Sequence, residues 1–430
     1  MRTSLIAAVL VAAASARAEE TTPPDVVHGE RYDGRDRQRS ARPYLLALPR
    51  VVLGVPRLLV RGLDAAAKPL LEWNERRHVA ERVIGAVTTD DGKIGVRPVI
   101  DYVAGYRPSF GVLFFDERLP RDARVTLSAA IGDQHTMQEN VHATVPVLES
   151  RGTLELDAGY RRRNDELYAG LGMHRLLPEV RYAVDQVDAS ASLSLRVVER
   201  MHLELGFAYG YRRFADGESY GGDPAIGDVY TLDDTVVPGF ASGTQFFRET
   251  AGVHLDSRRT EMSTGVMVDG VAHYTHGIFG DDSSYLRLHT HLGSQIKIWR
   301  HRALYLGVSV DDLVRFGDTP IPFSELATLG GPDDLRGFGR GRFRGASSVL
   351  ATVEWRWPVW MWMDGTLFFD YGGTFGPGFK DFAVGDLRPD VGIGFRVHTA
   401  SKYVMRVQVA WGFGGDGGFR LVIAGNGNPS

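Results

Sequence analysis

Alternation of apolar and polar residues over stretches of about ten, repeated to the C-terminus without one long apolar run, leaves this chain few folds to choose from. In residues 284–298, Leu286, Leu288, Leu292, Ile296 and Ile298 alternate with Arg287, His289, His291, Gly293, Gln295 and Lys297. A strand points successive side chains to opposite faces, so this segment has one greasy and one polar face. The same split recurs in residues 153–160, 202–212, 390–397 and 402–411. A water-soluble sandwich also alternates, but its apolar faces pack on each other and its strands are usually shorter. Runs of about ten residues are what a tilted strand needs to cross an outer membrane.

From Tyr102 onward we count about eleven such runs before a glycine-rich stretch and five after it, at 347–359, 362–373, 387–398, 402–413 and 418–425. Sixteen is an even number, which closes an antiparallel barrel without free edges. The expectation is an all-β protein, a 16-stranded antiparallel transmembrane β-barrel over residues 102–426. Short turns such as 358–360 alternate with the long connections 214–243, 313–346 and 374–386, as they do when the first strand starts in the periplasm. Trp355, Trp357, Trp360 and Trp362 crowd around one of the short turns, where an aromatic girdle meets the periplasmic interface.

The N-terminus reads differently. Arg2, an apolar run over 5–14 and the small-x-small triplet Ala16-Arg17-Ala18 have the form of a signal peptide spanning residues 1–18. Residues 19–42 are polar and charge-rich, which suits a flexible arm. Val52, Val55, Leu59, Leu63, Ala66, Leu70 and Trp73 recur at spacings of three and four, so residues 43–90 are expected to hold a short amphipathic helical segment. Such a helix either covers or plugs the barrel, or lies on the inner leaflet with Arg50, Arg57, Arg61 and Lys68 toward the headgroups.

Composition excludes several chemistries. The chain has 49 basic and 53 acidic residues, and without Arg2 and Arg17 the exported part has 47 against 53, or −6. That balance argues against nucleic acid as a partner. Cysteine is absent, which removes disulfides, thiolate chemistry and cysteine-ligated metals.

The glycine-rich stretch carries the chemistry. Gly330 and Gly331 precede Leu335-Arg336-Gly337-Phe338, so one arginine sits at the tip of a loop able to turn tightly. Glu354 follows in Val-Glu-Trp-Arg-Trp-Pro358, and Asp370 in Phe-Phe-Asp-Tyr-Gly372. Alternation points both carboxylates to the polar, inward faces of their strands. A guanidinium bonds carboxylates in a planar, bidentate manner, so one arginine is able to pin a long loop at a defined depth.

These three motifs, in this order, resemble those of the BamA/TamA superfamily, the bacterial surface antigen barrels of the outer membrane. The resemblance implies that the loop after the eleventh strand folds back into the lumen and that Arg336 meets Glu354 and Asp370 on the twelfth and thirteenth strands. It also implies a role in inserting or translocating polypeptides, with outer-membrane lipid, an unfolded polypeptide client and an accessory periplasmic protein as partners. The segment before Tyr102 is too short for the family's periplasmic POTRA modules beside an arm and a helix, so the chain is similar to a POTRA-less branch. The alternative is a passive, porin-like or anchoring barrel. We expect no enzyme activity, no cofactor and no metal.

Two patterns compete with that reading. Gly217-Glu-Ser219-Tyr-Gly221 matches a nucleophile motif, but one that needs a strand-to-helix elbow in an α/β sheet. His273, His289 and His291 share an inward face and would suit a divalent metal if they converged. Both are expected to be incidental.

Overall fold

The computed structural model describes residues 88–89, 91–101, 105–133, 135–173, 178–259, 263–298, 302–360, 363–398, 403–414 and 417–425. The expected signal peptide and arm, and the helical segment up to residue 87, lie outside the described residues, as do Trp362 and the side chain of Trp360.

Sixteen strands form one antiparallel sheet whose hydrogen-bonded order follows the chain. The first eight are β1 Ile94–Asp101, β2 Ser109–Leu119, β3 Ala123–Ile131, β4 Met137–Val147, β5 Gly152–Tyr168, β6 Val180–Val198, β7 Met201–Asp216 and β8 Thr244–Asp256. The second eight are β9 Gly265–Gly277, β10 Ser284–Lys297, β11 Ala303–Phe316, β12 Ser347–Trp360, β13 Met363–Phe375, β14 Arg388–His398, β15 Tyr403–Gly412 and β16 Phe419–Gly425. Eleven strands precede the glycine-rich loop and five follow it, so the chain is a 16-stranded β-barrel as expected, but only ten of the eleven lie after Tyr102 and the first lies before it.

Period two decides what faces outward. Leu205 and Phe207 on β7, Leu288 and Leu292 on β10, and Leu367 and Phe369 on β13 are exposed on the outer wall. Their neighbours along the chain point inward, and those on β13, Phe368 and Asp370, are buried. Trp355 and Trp357 share the outward parity of Val353, and the Trp357 ring lies over Gly365, where an added Cβ would come within 2.3 Å of it. The turns after even-numbered strands are short; β6 ends at Val198 and β7 starts at Met201. Long connections follow odd-numbered strands, as expected.

The barrel begins at Ile94 rather than near Tyr102. Val96 and Pro98 alternate with Gly95 and with Arg97, which lies over the Phe115 ring, but Val99 breaks the pattern and a proline supplies no ladder donor, so the segment carries a weak strand signal. At the end of the sheet the chain tolerates the proline, and Ile94 to Asp101 pair in register with Asp116 to Ser109.

An unexpected core lies at the end of the barrel that carries the long connections. Strands β5, β6 and β7 are the longest, at 17, 19 and 16 residues. Tyr168, Tyr182, Val184 and Phe214 near their upper ends pack with Ile226, Val237 and Phe240 of the connection 217–243 and with Phe323 of the connection 317–346. The Phe323 ring centroid lies 4.8 Å from that of Phe214 and 5.4 Å from that of Tyr182. Fully burying one such ring contributes about 1.5–3 kcal/mol, so two connections with no periodic signal are held as a cap.

Candidate functional site: a loop pinned inside the barrel

The connection 317–346 is built in two tiers. At its base, Ala327–Leu329 pairs antiparallel with Phe343–Gly345. The hairpin is tied to the connection after β5, because the Gly172 amide donates to the Arg344 carbonyl at 2.6 Å, and it is braced within its own connection, because the Arg344 guanidinium donates to the Phe323 carbonyl at 2.8 Å. Beyond the hairpin and further into the lumen, the chain turns at Gly330 and Gly331, with φ of 107° and 124° that side chains rarely adopt. A Cβ on Gly330 would also lie 2.2 Å from the Gly339 carbonyl oxygen.

The tip is buried. Leu335 and Phe338 are 0% and 1% exposed and pack with Met173, Leu329, Phe343 and Leu350. Phe338 meets Phe343 edge-on at 5.0 Å. This apolar cluster fixes the loop's height and leaves Arg336 pointing at the wall.

Arg336 donates from Nε to Asp370 Oδ2 at 2.7 Å and from Nη2 to Asp370 Oδ1 at 2.9 Å. Its Nη1 donates to Glu354 Oε2 at 3.1 Å. The guanidinium lies 3.4 Å from the centroid of the Phe368 ring. Both carboxylates are themselves held: the Thr352 hydroxyl donates to Asp370 at 2.9 Å, and Arg356 Nε donates to Glu354 at 2.7 Å. Burial works against a charged guanidinium, but the hydrogen bonds and charge of Asp370, with Glu354 behind them, outweigh it and raise the pKa of Arg336. The arginine is therefore a fixed cation, which is what a permanent pin requires.

The structure thus brings together Gly330, Gly331, Arg336, Gly337, Phe338, Glu354 and Asp370, while Trp355 and Trp357 sit apart on the outer wall. It also adds residues that sequence reasoning missed. The Gly337 amide donates to Asp390 of β14 at 2.9 Å. Arg406 of β15 donates to the Pro332 carbonyl at 2.7 Å and pairs with Asp333. Inward parity within residues 390–397 was the available signal for Asp390, but no motif marked it among many lumenal polar residues.

The residues of the two competing patterns have partners and surroundings of other kinds. Ser219 is exposed in the connection after β7, whose one helical turn is the 3-10 turn Ile226–Asp228 further along, and Glu218 in the same motif is bonded to Arg107 at 2.8 Å. His273 bonds Thr250 at 2.9 Å, His291 bonds Ser309 at 2.8 Å and His289 approaches Asp311 at 3.2 Å, so each imidazole has its own partner. Among the described residues no group of three or more His, Cys, Asp or Glu is placed to hold a metal ion.

Comparison with known proteins places the barrel that carries this loop. Residues 123–421 match the model of the Omp85 superfamily domain. Among solved structures, the chain is similar to BamA from Haemophilus ducreyi lacking POTRA domains 1–3, with 16% identity and a TM-score of 0.57 over 77% of this chain and 70% of that one. CdiB from Acinetobacter baumannii aligns with 12% identity and a TM-score of 0.47 over 76% of this chain and 57% of that one. At these identities the likeness speaks for the fold alone. No curated protein matches the chain.

Proposed function

The chain belongs to the Omp85 superfamily, and from that footing we propose that this outer-membrane barrel assists the insertion or translocation of polypeptides rather than acting as an enzyme. One observation carries the reading: Arg336, 4% exposed, holds a long loop inside the barrel through three hydrogen bonds to two buried carboxylates. A passive porin needs an aqueous path, and a loop across the lumen under an apolar cap opposes one. An anchor needs no such pin. In this reading the loop sets the inner shape of the C-terminal strands β12 to β15, against which an unfolded client is handled. In the same reading an accessory periplasmic protein delivers that client.

The test is reconstitution of the full-length protein in liposomes with an unfolded outer-membrane barrel as client. The proposal expects faster client folding than in empty liposomes and loss of that acceleration in Arg336→Ala. Steady flux of small solutes without a client, with no acceleration of folding, would favour the porin-like alternative.

A further inference from the structure

Above the apolar band, the outer wall of β5 to β7 carries a row of charges that the loop and its pin do not use. Arg162 on β5, Asp185 on β6 and Arg213 on β7 are direct cross-strand neighbours. Arg162 donates from Nε and Nη2 to the two oxygens of Asp185 at 2.6 and 3.1 Å. Arg162 nevertheless remains 52% exposed, and Arg213 is exposed. One row nearer the midplane lie Tyr160 and Tyr211, with the Tyr160 hydroxyl 3.2 Å from Asp185. Glu139 shares that lower row, beside Tyr160, and stands outside the charged row.

All of these side chains face away from the lumen, because they share the parity of Val187, Leu205 and Phe207 on the exposed wall. Their height can be set from the strand itself. From Val187 to Val197 on β6, a rise of about 3.3 Å per residue at a tilt of about 45° gives about 23 Å, close to the apolar band of about 25 Å in such barrels. Asp185 is the next outward residue beyond that band, at the end where the long connections lie. The tyrosines then occupy the aromatic interface, and the arginines reach the headgroups of the outer leaflet. At the corresponding level β9 to β11 present Tyr274, Leu286 and Val314, so the charged row is local to one side of the barrel.

We propose that Arg162 and Arg213 form a binding site for the phosphate of an outer-leaflet glycolipid, with Asp185 as the positioning residue that orients the Arg162 fork. The two arginines are separated by one strand, about 10 Å apart at the backbone, so their side chains converge on one anionic group above Asp185. Guanidinium planes match phosphate oxygens better than any other side chain. The row has two cations to one anion, and the tyrosines below it contact sugar and the upper acyl chains. The lipid committed to is the phosphorylated glycolipid, because the row is at the outer end of the barrel and not at the periplasmic turns.

Native mass spectrometry of the full-length barrel in detergent tests this, with bisphosphorylated lipid A, its dephosphorylated form and phosphatidylglycerol added separately. The bisphosphorylated form is expected to bind most tightly, and Arg162→Gln/Arg213→Gln to weaken it about tenfold, the loss expected for a charge-assisted hydrogen bond. Heat-modified gel mobility reports whether the variant is folded. Should the double variant fail to fold, Arg213→Gln alone leaves the Arg162–Asp185 pair intact and still lowers affinity. Lipid A binding that is equal in the folded variant and the parent, in either form, overturns the proposal. So does phosphatidylglycerol or dephosphorylated lipid A binding as tightly as the bisphosphorylated form.

Discussion

Gly337 of the loop and Gly412 of β15 meet backbone to backbone: a Cβ on Gly337 would lie 2.3 Å from the Gly412 nitrogen, and one on Gly412 would lie 2.6 Å from the Gly337 oxygen. Neither position admits a side chain without moving the loop tip. Gly412→Ala is therefore expected to cost about 1–3 kcal/mol, as overpacking does elsewhere, and to make the tip accessible to protease. Urea unfolding in lipid vesicles and limited proteolysis measure the two effects. An unchanged midpoint with an intact loop would mean that the tip has slack.

Arg336 and Asp370 are expected to behave as one unit. Removing either partner leaves a buried charge uncompensated, at a cost of about 3–5 kcal/mol where burial is deep. Arg336→Ala and Asp370→Asn should each destabilise, and the double variant should be little worse than the worse single. A double-mutant cycle on the unfolding midpoints reads the coupling, and strictly additive losses would remove the pin as a stabilising element.

Asp334, two residues before the arginine, supplies a pH dependence of definite sign. Burial, then the charges of Asp333 and the neighbouring carboxylates, raise its pKa from 3.8 to about 7. The folded protein thus holds a proton that the unfolded chain has lost, and stability falls as pH rises between those two values. Asp334→Asn is expected to stabilise the barrel at pH 8 and to be neutral at pH 3. Melting curves across that range test it; a gain that grows toward acid pH would contradict the assignment.

The cap rests on Glu325 as much as on its aromatic rings. Glu325 accepts from the Tyr285 hydroxyl at 3.0 Å, lies 3.4 Å from Arg212 and also pairs with Arg248. Burial would raise the pKa of its carboxyl, but the two guanidiniums outweigh that and hold it below the usual range. Its contribution is present above the ordinary carboxylate range and is lost as pH falls through the lowered value. Phe323→Ala should cost the cap about 3–5 kcal/mol. Planar-bilayer recordings should show rare openings in the parent and frequent ones in Phe323→Ala and Glu325→Gln; equal conductance in all three would mean that the cap does not seal.

Topology can be read chemically because the chain has no cysteine of its own. Ser219→Cys and Gly376→Cys are expected to react with an impermeant maleimide on intact cells, and Val359→Cys is not. Reaction at all three would contradict the strand register.

The strands were legible where period two survives over most of their length; β1 was not, because Val99 breaks its alternation and Pro98 supplies no ladder donor. Arg336, Glu354 and Asp370 were legible because short motifs and parity agreed. Asp390 and Gly412 were not, since an acceptor for one amide and a close approach of two backbones depend on how strands distant in sequence are laid together. The cap escaped for the same reason: Ile226, Val237 and Phe240 have no shared spacing, and only the lengths of β5 to β7 bring them over Phe323.

The tie between the two halves of the barrel has a consequence for the order of assembly. The Met173 sulfur accepts from the Thr374 amide at 3.1 Å across 201 residues of chain, and the Gly172 amide reaches Arg344. Contacts so distant in sequence form slowly, because a long loop must be closed before anything is gained. The N-terminal strands can pair with one another early, but neither the hairpin nor the arginine has a seat until β12 and β13 are in place. Closing the lumen is then the last step of this protein's own folding, and a chain truncated before Asp370 is expected to be an open trough rather than a smaller sealed barrel.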